Sequence, residues 1–200
     1  MLPRIYLARH GQTEWSLTGR HTGRTDAVLT TDGESEARSV GQRLRGMMFD
    51  HVVSSPRLRA TRTCALAGIT DTPLIDDDFR EWDYGDYEGL RSAEITALHS
   101  GWNVFLHGCP GGESPDQISE RADRAVRTLQ ALPGNILVFS HGHFLRVLAV
   151  RWVGLSIAAA QRIYLNTGSL SMLGYEHERR EEPVILLWNE RPPQSPQSCD

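Results

Sequence analysis

Two histidine–glycine steps, each preceded by an apolar run, are the residues of this chain best suited to chemistry. Arg9-His10-Gly11 follows the apolar residues 5–8, and His141-Gly142 follows the apolar residues 136–139. At the carboxyl end of a buried strand, where α/β sheets bind ligands, a histidine can act as nucleophile or base and an arginine can hold an anion. One step alone fits a strand-to-turn junction with solvated polar residues equally well, but the second favours an enzyme.

A third candidate group follows another short β-prone run. Ser55 is a favourable N-cap and Pro56 suits the first helical position, so the sequence predicts a helix that begins here. Helix N-termini attract anions, and Arg59 lies in the first turns of this helix. Arginines here fit either a solvated face or a nearby anionic ligand, and we expect Arg57 and Arg62 to lie on a solvated face. Only because of the two histidine motifs do we assign Arg59 to an anionic ligand.

A general acid is predicted in the acidic and aromatic segment at residues 76–89. Most of its carboxylates fit a surface loop that Trp82 and Tyr84 anchor. A single carboxyl group beside aromatic rings is partly desolvated, which favours its protonated form and suits proton donation near neutral pH. Glu81, which directly precedes Trp82, is the best candidate on this argument.

These groups need a scaffold, and the rest of the chain alternates between β-prone and amphipathic segments. This alternation predicts an α/β sheet with helices on both faces. Beyond the strands already named, strands are predicted near residues 168–175 and 184–188. Helices are predicted to start at Thr31, at Pro56, at Ser114 and near His143, and the first of them starts with a capping box.

Each predicted helix has apolar positions that predict which face is buried. The helix from Ser114 has a long apolar stripe that consists of Ile118, Ala122, Ala125, Val126, Leu129 and Leu132. In the helix that follows Thr31, the buried positions are expected to be Ala37, Val40 and Leu44. In the helix between Pro56 and Gly68 the expected apolar positions are Leu58, Ala65 and Leu66.

The length of 200 residues predicts one domain with a sizeable core, which we place at residues 1–190. Residues 191–200 are polar and rich in proline, and a disordered tail is predicted there.

Composition limits the partners of the chain. The formal net charge of −4 provides no bulk attraction to nucleic acid or to anionic membranes, so neither is an expected partner. The three cysteines are an odd number without metal-ligand spacing, which favours a reducing compartment. The first residues lead straight into a strand, and no apolar stretch is as long as a membrane span. We therefore expect a cytoplasmic protein.

Three further histidines, His21, His107 and His143, lie near the motifs, and each is a candidate for the wall of a substrate pocket. A solvated side chain is the simpler alternative for each. The aromatic segment at residues 102–107 is expected to roof that pocket. The spacing His141-Gly142-His143 has no acidic or thiol residue nearby, so no metal site is predicted.

Taken together, these residues resemble the histidine phosphatase superfamily along nearly the whole chain. The matching motifs, in chain order, are Arg9-His10-Gly11, Thr22-Gly23, Leu29-Thr30 with Gly33, residues 54–59, Glu81 with Tyr84-Gly85, Gly112-Glu113-Ser114 and His141-Gly142. Each motif is weakly specific, but the set in this order is very specific. Residues 12–16, 55–60 and 80–89 look most like sedoheptulose bisphosphatases and small acid phosphatases.

The resemblance implies a three-layer α/β/α phosphoglycerate mutase-like fold with a mostly parallel central sheet. It also implies a phosphatase that needs neither metal nor cofactor and that forms a phosphohistidine on His10. Arg9, Arg59 and His141 would hold the phosphate oxygens. Glu81 would protonate the leaving group and then activate water.

The resemblance also suggests substrate-binding residues, namely Ser16, Thr22, Gly23 and Gly142. Ser16 stands where mutases of this family carry asparagine, which leaves its role open. The expected partner is a small phosphorylated metabolite, foremost a sugar phosphate. Whether the chain forms a homo-oligomer stays open.

Two other functions remain in view. A phosphoglycerate mutase uses the same pocket but returns the phosphoryl group to its substrate, and a non-catalytic phosphate-binding protein would need no nucleophile. The connection from Gly89 to Gly111 is shorter than the insertion that encloses the substrate in the mutases that the chain resembles. That difference favours access for water, and therefore hydrolysis.

Overall fold

The computed structural model describes residues 2–191 of the chain. Its centre is a six-stranded sheet with the strand order β3-β2-β4-β1-β5-β6. The first four strands in that order run parallel, whereas β5 and β6 are antiparallel to their neighbours. The strands are β1 (Arg4–Arg9), β2 (His51–Ser54), β3 (Leu74–Ile75), β4 (Asn135–Ser140), β5 (Leu170–Tyr175) and β6 (Pro183–Glu190).

Seven α-helices are found among the described residues, together with short 3₁₀ helices at Asp77–Phe79, Gly85–Tyr87 and Ile157–Arg162. The α-helices are α1 (Glu14–Leu17), α2 (Thr31–Arg43), α3 (Leu58–Leu66), α4 (Ser92–Leu98), α5 (Val104–His107), α6 (Pro115–Ala131) and α7 (Gly142–Trp152). None of these helices is both long and apolar enough to cross a bilayer.

The core lies on both faces of the sheet, because successive strand residues point to opposite sides. On one face, Ile5 and Leu7 of β1 pack with the buried side chains of α6 and α7. On the other face, Ala8 packs with Val40 of α2 and Ala60 of α3. The predicted three-layer α/β/α fold with a mostly parallel sheet is therefore confirmed.

The predicted starts of two helices are wrong by one or two residues. The cap of α2 is Thr30 rather than Thr31, and its hydroxyl accepts a hydrogen bond from the Gly33 N–H at 3.0 Å. Helix α3 begins at Leu58 instead of Pro56. The reason is that Ser55 still pairs with β4, since its N–H donates to the Phe139 carbonyl at 3.0 Å.

The predicted buried face of α3 is also wrong. Leu58 is 44% exposed, whereas Ala60, Thr63 and Cys64 are buried. These three share one face because residues three and four apart are neighbours on a helix. The face also contains the buried Arg59, which the helix directs inward.

The predicted domain boundary and tail are only partly covered by the structure. Residues 192–200 lie outside the described residues, so the predicted disorder stays a prediction. Arg191 is described, and its guanidinium lies 3.7 Å from the Glu36 carboxylate.

The close approach of α2 to the end of α3 gives a stability prediction. Alanine in place of glycine normally stabilises a helix, by about 0.5–1 kcal/mol. A Cβ at Gly41, however, would lie 2.0 Å from the Ala67 carbonyl oxygen, so backbone would have to move. We expect Gly41→Ala to lower the free energy of unfolding by about 1–3 kcal/mol, measured by urea denaturation.

The matched control is Ser35→Ala, at an exposed position of the same helix. This variant should change stability by no more than about 0.5 kcal/mol. A Gly41→Ala protein as stable as the wild type would show that the two helices are not packed as described.

Candidate active site

A cavity of about 270 Å³ opens at the carboxyl ends of the parallel strands. The register of β1 with β4 pairs Arg9 with Ser140, so His10 and His141 leave the sheet side by side. Their ring centroids are 5.2 Å apart. The cavity wall includes most of the predicted site residues, namely Arg9, His10, Ser16, Thr22, Glu81 and Gly142.

A hydrogen bond from one ring nitrogen to the neighbouring backbone fixes the orientation of the His10 ring. Its Nδ1 lies 2.8 Å from the Gly11 carbonyl oxygen. A carbonyl only accepts hydrogen bonds, so Nδ1 carries the proton and Nε2 keeps its lone pair. Burial, and then the Arg59 and Arg9 charges, hold the pKa of His10 well below its ordinary value, so the ring is neutral and nucleophilic.

Gly11 is needed next to this histidine for steric reasons. A Cβ at this position would lie 2.1 Å from the Gly33 carbonyl oxygen of α2. The Gly11 N–H donates to the Thr63 hydroxyl at 3.0 Å. Helices α2 and α3 thus clamp the backbone that orients the His10 ring.

His141 occupies the opposite tautomer. The Arg59 Nε–H donates to Nδ1 at 3.1 Å, so the proton of the neutral ring is on Nε2, which donates to the Ser55 hydroxyl at 2.7 Å. Burial, and then the Arg59 charge, hold the pKa of His141 well below its ordinary value. Ser55 therefore positions His141, a role that the interpretation as a helix cap missed.

Two guanidinium groups lie next to the paired histidines. Arg59 is fully buried, and its Nη groups donate to the carbonyls of Thr22 and Thr25 at 2.8 and 2.9 Å. Arg9 donates from Nη1 to the Leu165 carbonyl at 2.6 Å. Its Nε is buried without a hydrogen-bond partner among the described residues. Such a donor costs free energy, so an anionic oxygen in the cavity is the fitting partner.

Glu81 is buried and lies at the N-terminus of α7. Its carboxylate accepts hydrogen bonds from the N–H groups of Trp82 and His143 at 3.0 Å and of Phe144 at 2.8 Å. The expected aromatic setting is therefore not what holds this group. The first N–H groups of a helix have no partner within it, and a carboxylate satisfies them.

A buried ion pair supports the segment that contains Glu81. Arg121 of α6 is 2% exposed and donates to both Glu113 carboxylate oxygens at 2.7 Å. It also donates to the carbonyls of Asp78 and Arg80 at 2.8 Å. No role is predicted for Arg121 from the sequence, although it lies three positions after Ile118 on the apolar face of its helix.

Three of the four predicted substrate-binding residues line the cavity, and they differ in whether their polar groups are already hydrogen-bonded. Ser16 and Thr22 line the cavity, but the Ser16 hydroxyl already accepts from the Thr13 N–H at 2.8 Å as part of a helix cap. Gly142 lines it as well, and a Cβ there would lie 3.0 Å from the Arg9 Cζ. Gly23 lies outside this cavity, and its N–H donates to the Glu88 carboxylate at 3.0 Å.

Gly23 instead lines a neighbouring cavity of about 310 Å³ that also contains Arg57. The prediction that Arg57 lies on a solvated face is wrong, because its Nε is buried with no hydrogen-bond partner in residues 2–191. The same prediction is right for Arg62, which is exposed and pairs with Glu34 at 2.8 Å.

Two of the three additional histidines line the cavity, and the third does not. His21 and His143 line the cavity, backed by Trp102 and Phe105 at centroid distances of 5.4 and 5.2 Å. His107 is exposed and is absent from the cavity wall.

Arg146, for which the sequence predicts no role, also lines the cavity. Its Nε and Nη2 donate to the Ala160 carbonyl at 3.0 and 2.8 Å, and its guanidinium lies 4.5 Å from the Phe105 ring centroid. Burial lowers the pKa of Arg146 to about 10, so it is cationic at neutral pH. Its position four residues after Gly142, on the same helix face, was a usable signal.

Only one cluster in residues 2–191 has the donor atoms for a metal ion, and it is remote from this site in sequence. It consists of Glu176, His177 and Glu182 between and at the ends of β5 and β6. Arg179 also pairs with Glu182 at 3.2 Å.

Comparison with known proteins gives a family match over most of the chain. The family described as "Histidine phosphatase superfamily (branch 1)" matches residues 5–191. An acid phosphatase from Mycobacterium tuberculosis is 42% identical, with 92% of each chain covered. A sedoheptulose 1,7-bisphosphatase from Saccharomyces cerevisiae is 38% identical, with 94% of this chain and 93% of that protein covered.

Other similar proteins include a probable phosphoglycerate mutase from Salmonella choleraesuis, which is 33% identical with 88% of this chain and 86% of that protein covered. Among solved structures, an open reading frame product from Mycobacterium tuberculosis superposes with a TM-score of 0.87 at 39% identity. That match covers 94% of this chain and 97% of the other.

The geometry of His10 leads to a prediction about its protonation. Because burial and two nearby guanidinium groups disfavour the imidazolium, the ring should stay neutral until the pH falls below 6.5, the ordinary pKa of histidine. Imidazole ¹⁵N NMR across a pH titration should also show the Nδ1–H tautomer. Assignment of the titrating signal uses the spectrum of His10→Ala, in which it should vanish.

A midpoint at or above pH 6.5, or an Nε2–H tautomer, would contradict the described orientation. Arg59→Met should move the midpoint upward, because it removes the larger of the two charge effects.

Proposed function

This chain belongs to the histidine phosphatase superfamily and is a phosphoric monoester hydrolase, and on that premise we propose that it hydrolyses small sugar phosphates through a phosphohistidine. The observation that carries the proposal is the His10 tautomer. A neutral imidazole with its lone pair on Nε2 lines a cavity that Arg9 and the Glu81 carboxylate also line, and the Arg9 Nε–H has no hydrogen-bond partner in residues 2–191.

In the proposed first step, His10 Nε2 attacks phosphorus opposite to the ester oxygen. The Glu81 carboxylate first takes the proton of the monoanionic phosphate ester. The N–P bond then forms as the P–O bond to the leaving group breaks, and Glu81 gives that proton to the departing alkoxide. In the second step Glu81 takes a proton from water. The water oxygen attacks phosphorus, the N–P bond breaks, and neutral His10 and inorganic phosphate result.

Phosphoryl transfer of this kind needs positioning and charge stabilisation above all. Arg9 lines the cavity, whereas Arg59 is outside its wall and donates to His141. We assign both to the equatorial phosphate oxygens because guanidinium groups match phosphate in geometry. The Nε2–H of His141, which donates to Ser55 here, is a third donor beside His10. We propose that these groups carry out the reaction without a metal or another cofactor.

The preference for sugar phosphates rests on the cavity and on the names of relatives. A volume of about 270 Å³ suits a small leaving group. Arg146 provides a second cationic group in the wall, which suits a substrate with a further anionic group. A similar yeast protein is named sedoheptulose 1,7-bisphosphatase.

A mutase is the second candidate, favoured by the similarity to a protein named probable phosphoglycerate mutase. A mutase has to keep water away from its phosphoenzyme. In this chain the connection between Gly89 and Gly111 is short, and Tyr164 in the cavity wall is 68% exposed. Both features favour hydrolysis.

Release of inorganic phosphate tests the proposal. We expect steady phosphate release from a panel of sugar phosphates, with little interconversion of 3- and 2-phosphoglycerate when bisphosphoglycerate is supplied. His10→Ala should reduce turnover by several orders of magnitude, because the covalent route is lost. Mutase flux greater than phosphate release would reverse the assignment, and an unchanged rate in His10→Ala would exclude the nucleophile.

The role of Glu81 predicts a dependence on the leaving group. A general acid matters most when the departing oxygen is strongly basic. Glu81→Gln should therefore slow phosphoenzyme formation from alkyl phosphates by about 100-fold or more, and from p-nitrophenyl phosphate far less. Rapid-quench measurement under denaturing conditions at neutral or alkaline pH preserves the acid-labile phosphohistidine. Equal losses on both substrates would mean that Glu81 does not donate the proton.

A further inference from the structure

Three rings that the proposed chemistry does not use line the cavity beside the nucleophile. They belong to Tyr84, His21 and His143. The ring centroids of His21 and Tyr84 are 4.7 Å apart, and each lies 5.8 Å from the His143 ring. The three rings therefore form one packed group, which we call the ring cluster.

Hydrogen bonds fix the proton of His143. The Tyr84 hydroxyl lies 2.6 Å from its Nδ1. Burial raises the pKa of Tyr84 well above its ordinary value and lowers the pKa of His143 well below, so the phenol keeps its proton and the imidazole is neutral. The hydroxyl therefore donates to Nδ1, and the imidazole proton of His143 is on Nε2.

His21 has the opposite arrangement. Its Nδ1 lies 3.0 Å from the Leu90 carbonyl oxygen, which only accepts, so Nδ1 carries the proton and Nε2 is an acceptor. Burial lowers the pKa of His21, which keeps this ring neutral too. Within residues 2–191, neither His21 Nε2 nor His143 Nε2 has a hydrogen-bond partner.

We propose that the ring cluster recognises hydroxyl groups of the leaving group, with His143 Nε2–H as donor and His21 Nε2 as acceptor. This inference rests on the proposed function and deepens it, because it assigns the specificity for polyol phosphates to named atoms. A hydroxyl group both donates and accepts, so two hydroxyls of one polyol can satisfy a fixed donor and a fixed acceptor.

The chemistry of the two rings argues for a neutral polar ligand. A neutral donor and a neutral acceptor offer little to a charged group, which Arg146 in the same wall serves better. An apolar leaving group would enter the cavity without pairing either nitrogen. Unpaired polar groups in a binding site cost free energy, and the site therefore binds an analogue without hydroxyls more weakly.

Tyr84 is a positioning residue in this arrangement. Its hydroxyl fixes the tautomer of His143, and through that ring it acts on the recognition of the ligand. A phenylalanine at position 84 would preserve the packing but allow the His143 proton to move to Nδ1. His143 Nε2 could then no longer donate a hydrogen bond to the ligand.

The test compares two probes with the same charge and similar alkoxide leaving groups, ribose 5-phosphate and n-pentyl phosphate. We expect the wild type to have the larger kcat/KM for ribose 5-phosphate. His143→Phe and His21→Phe should each lower that value about 10-fold, with less than 3-fold change for pentyl phosphate. The loss should appear mainly in KM, because these contacts bind the ground state and the transition state alike.

Three further variants separate recognition from structure. His143→Gln keeps an N–H donor and should retain most of the preference for ribose 5-phosphate. His99→Phe, at an exposed histidine that does not line the cavity, should leave the ratio of the two kcat/KM values unchanged. Tyr84→Phe should lower the ratio, and imidazole ¹⁵N NMR should show that the Nε2–H tautomer of His143 is no longer dominant.

The outcomes distinguish this inference from the proposed function. If the wild type releases phosphate from both probes at equal kcat/KM, the phosphatase stands and the ring cluster does not select hydroxyls. Equal losses on both probes in the phenylalanine variants would also overturn the inference. If the wild type hydrolyses neither probe nor p-nitrophenyl phosphate, the proposed function itself fails.

Discussion

The parallel register between β1 and β4 is the constraint on which the rest of the site depends. Arg9 pairs with Ser140, and the His10 N–H continues the ladder to the Ser140 carbonyl at 3.0 Å. Two histidines from distant parts of the chain consequently leave the sheet at one edge. A slip of one residue would turn the side chains of a strand to the other face, because their period is two.

This register brings basic side chains together in the interior of the protein, and two features of the structure limit the free-energy cost of burying their charge. The rings of His10 and His141 stay neutral, so two of the four basic groups at this edge carry no charge. The guanidinium of Arg59 is surrounded by backbone carbonyl oxygens, which accept its hydrogen bonds. Buried charges without partners are costly, and an arriving phosphate would supply the missing negative charge.

In the proposed function, the same cavity has one side for the phosphoryl group and another for the leaving group. The phosphoryl side is built from strand ends and from the first turn of α7, which are held by the sheet and by helix clamps. The proposed leaving-group side is built from His21 and Tyr84, which lie in loops, and from His143 and Arg146, which lie in the first two turns of α7. Loops accept sequence change at little cost in stability, so specificity can vary while the nucleophile stays fixed.

The sequence by itself determined the α/β layering and the strand ends that carry His10 and His141, because periodicity and local turn chemistry are local signals. It did not indicate the two-residue strand β3 or the short helices α1, α4 and α5, which the surrounding structure stabilises. Only the tertiary structure decided the tautomer of each histidine, the removal of Gly23 from the cavity and the placement of Arg146 in its wall. Each of these depends on partners far away in the chain, and a linear pattern contains no information about which carbonyl or ring a side chain will meet.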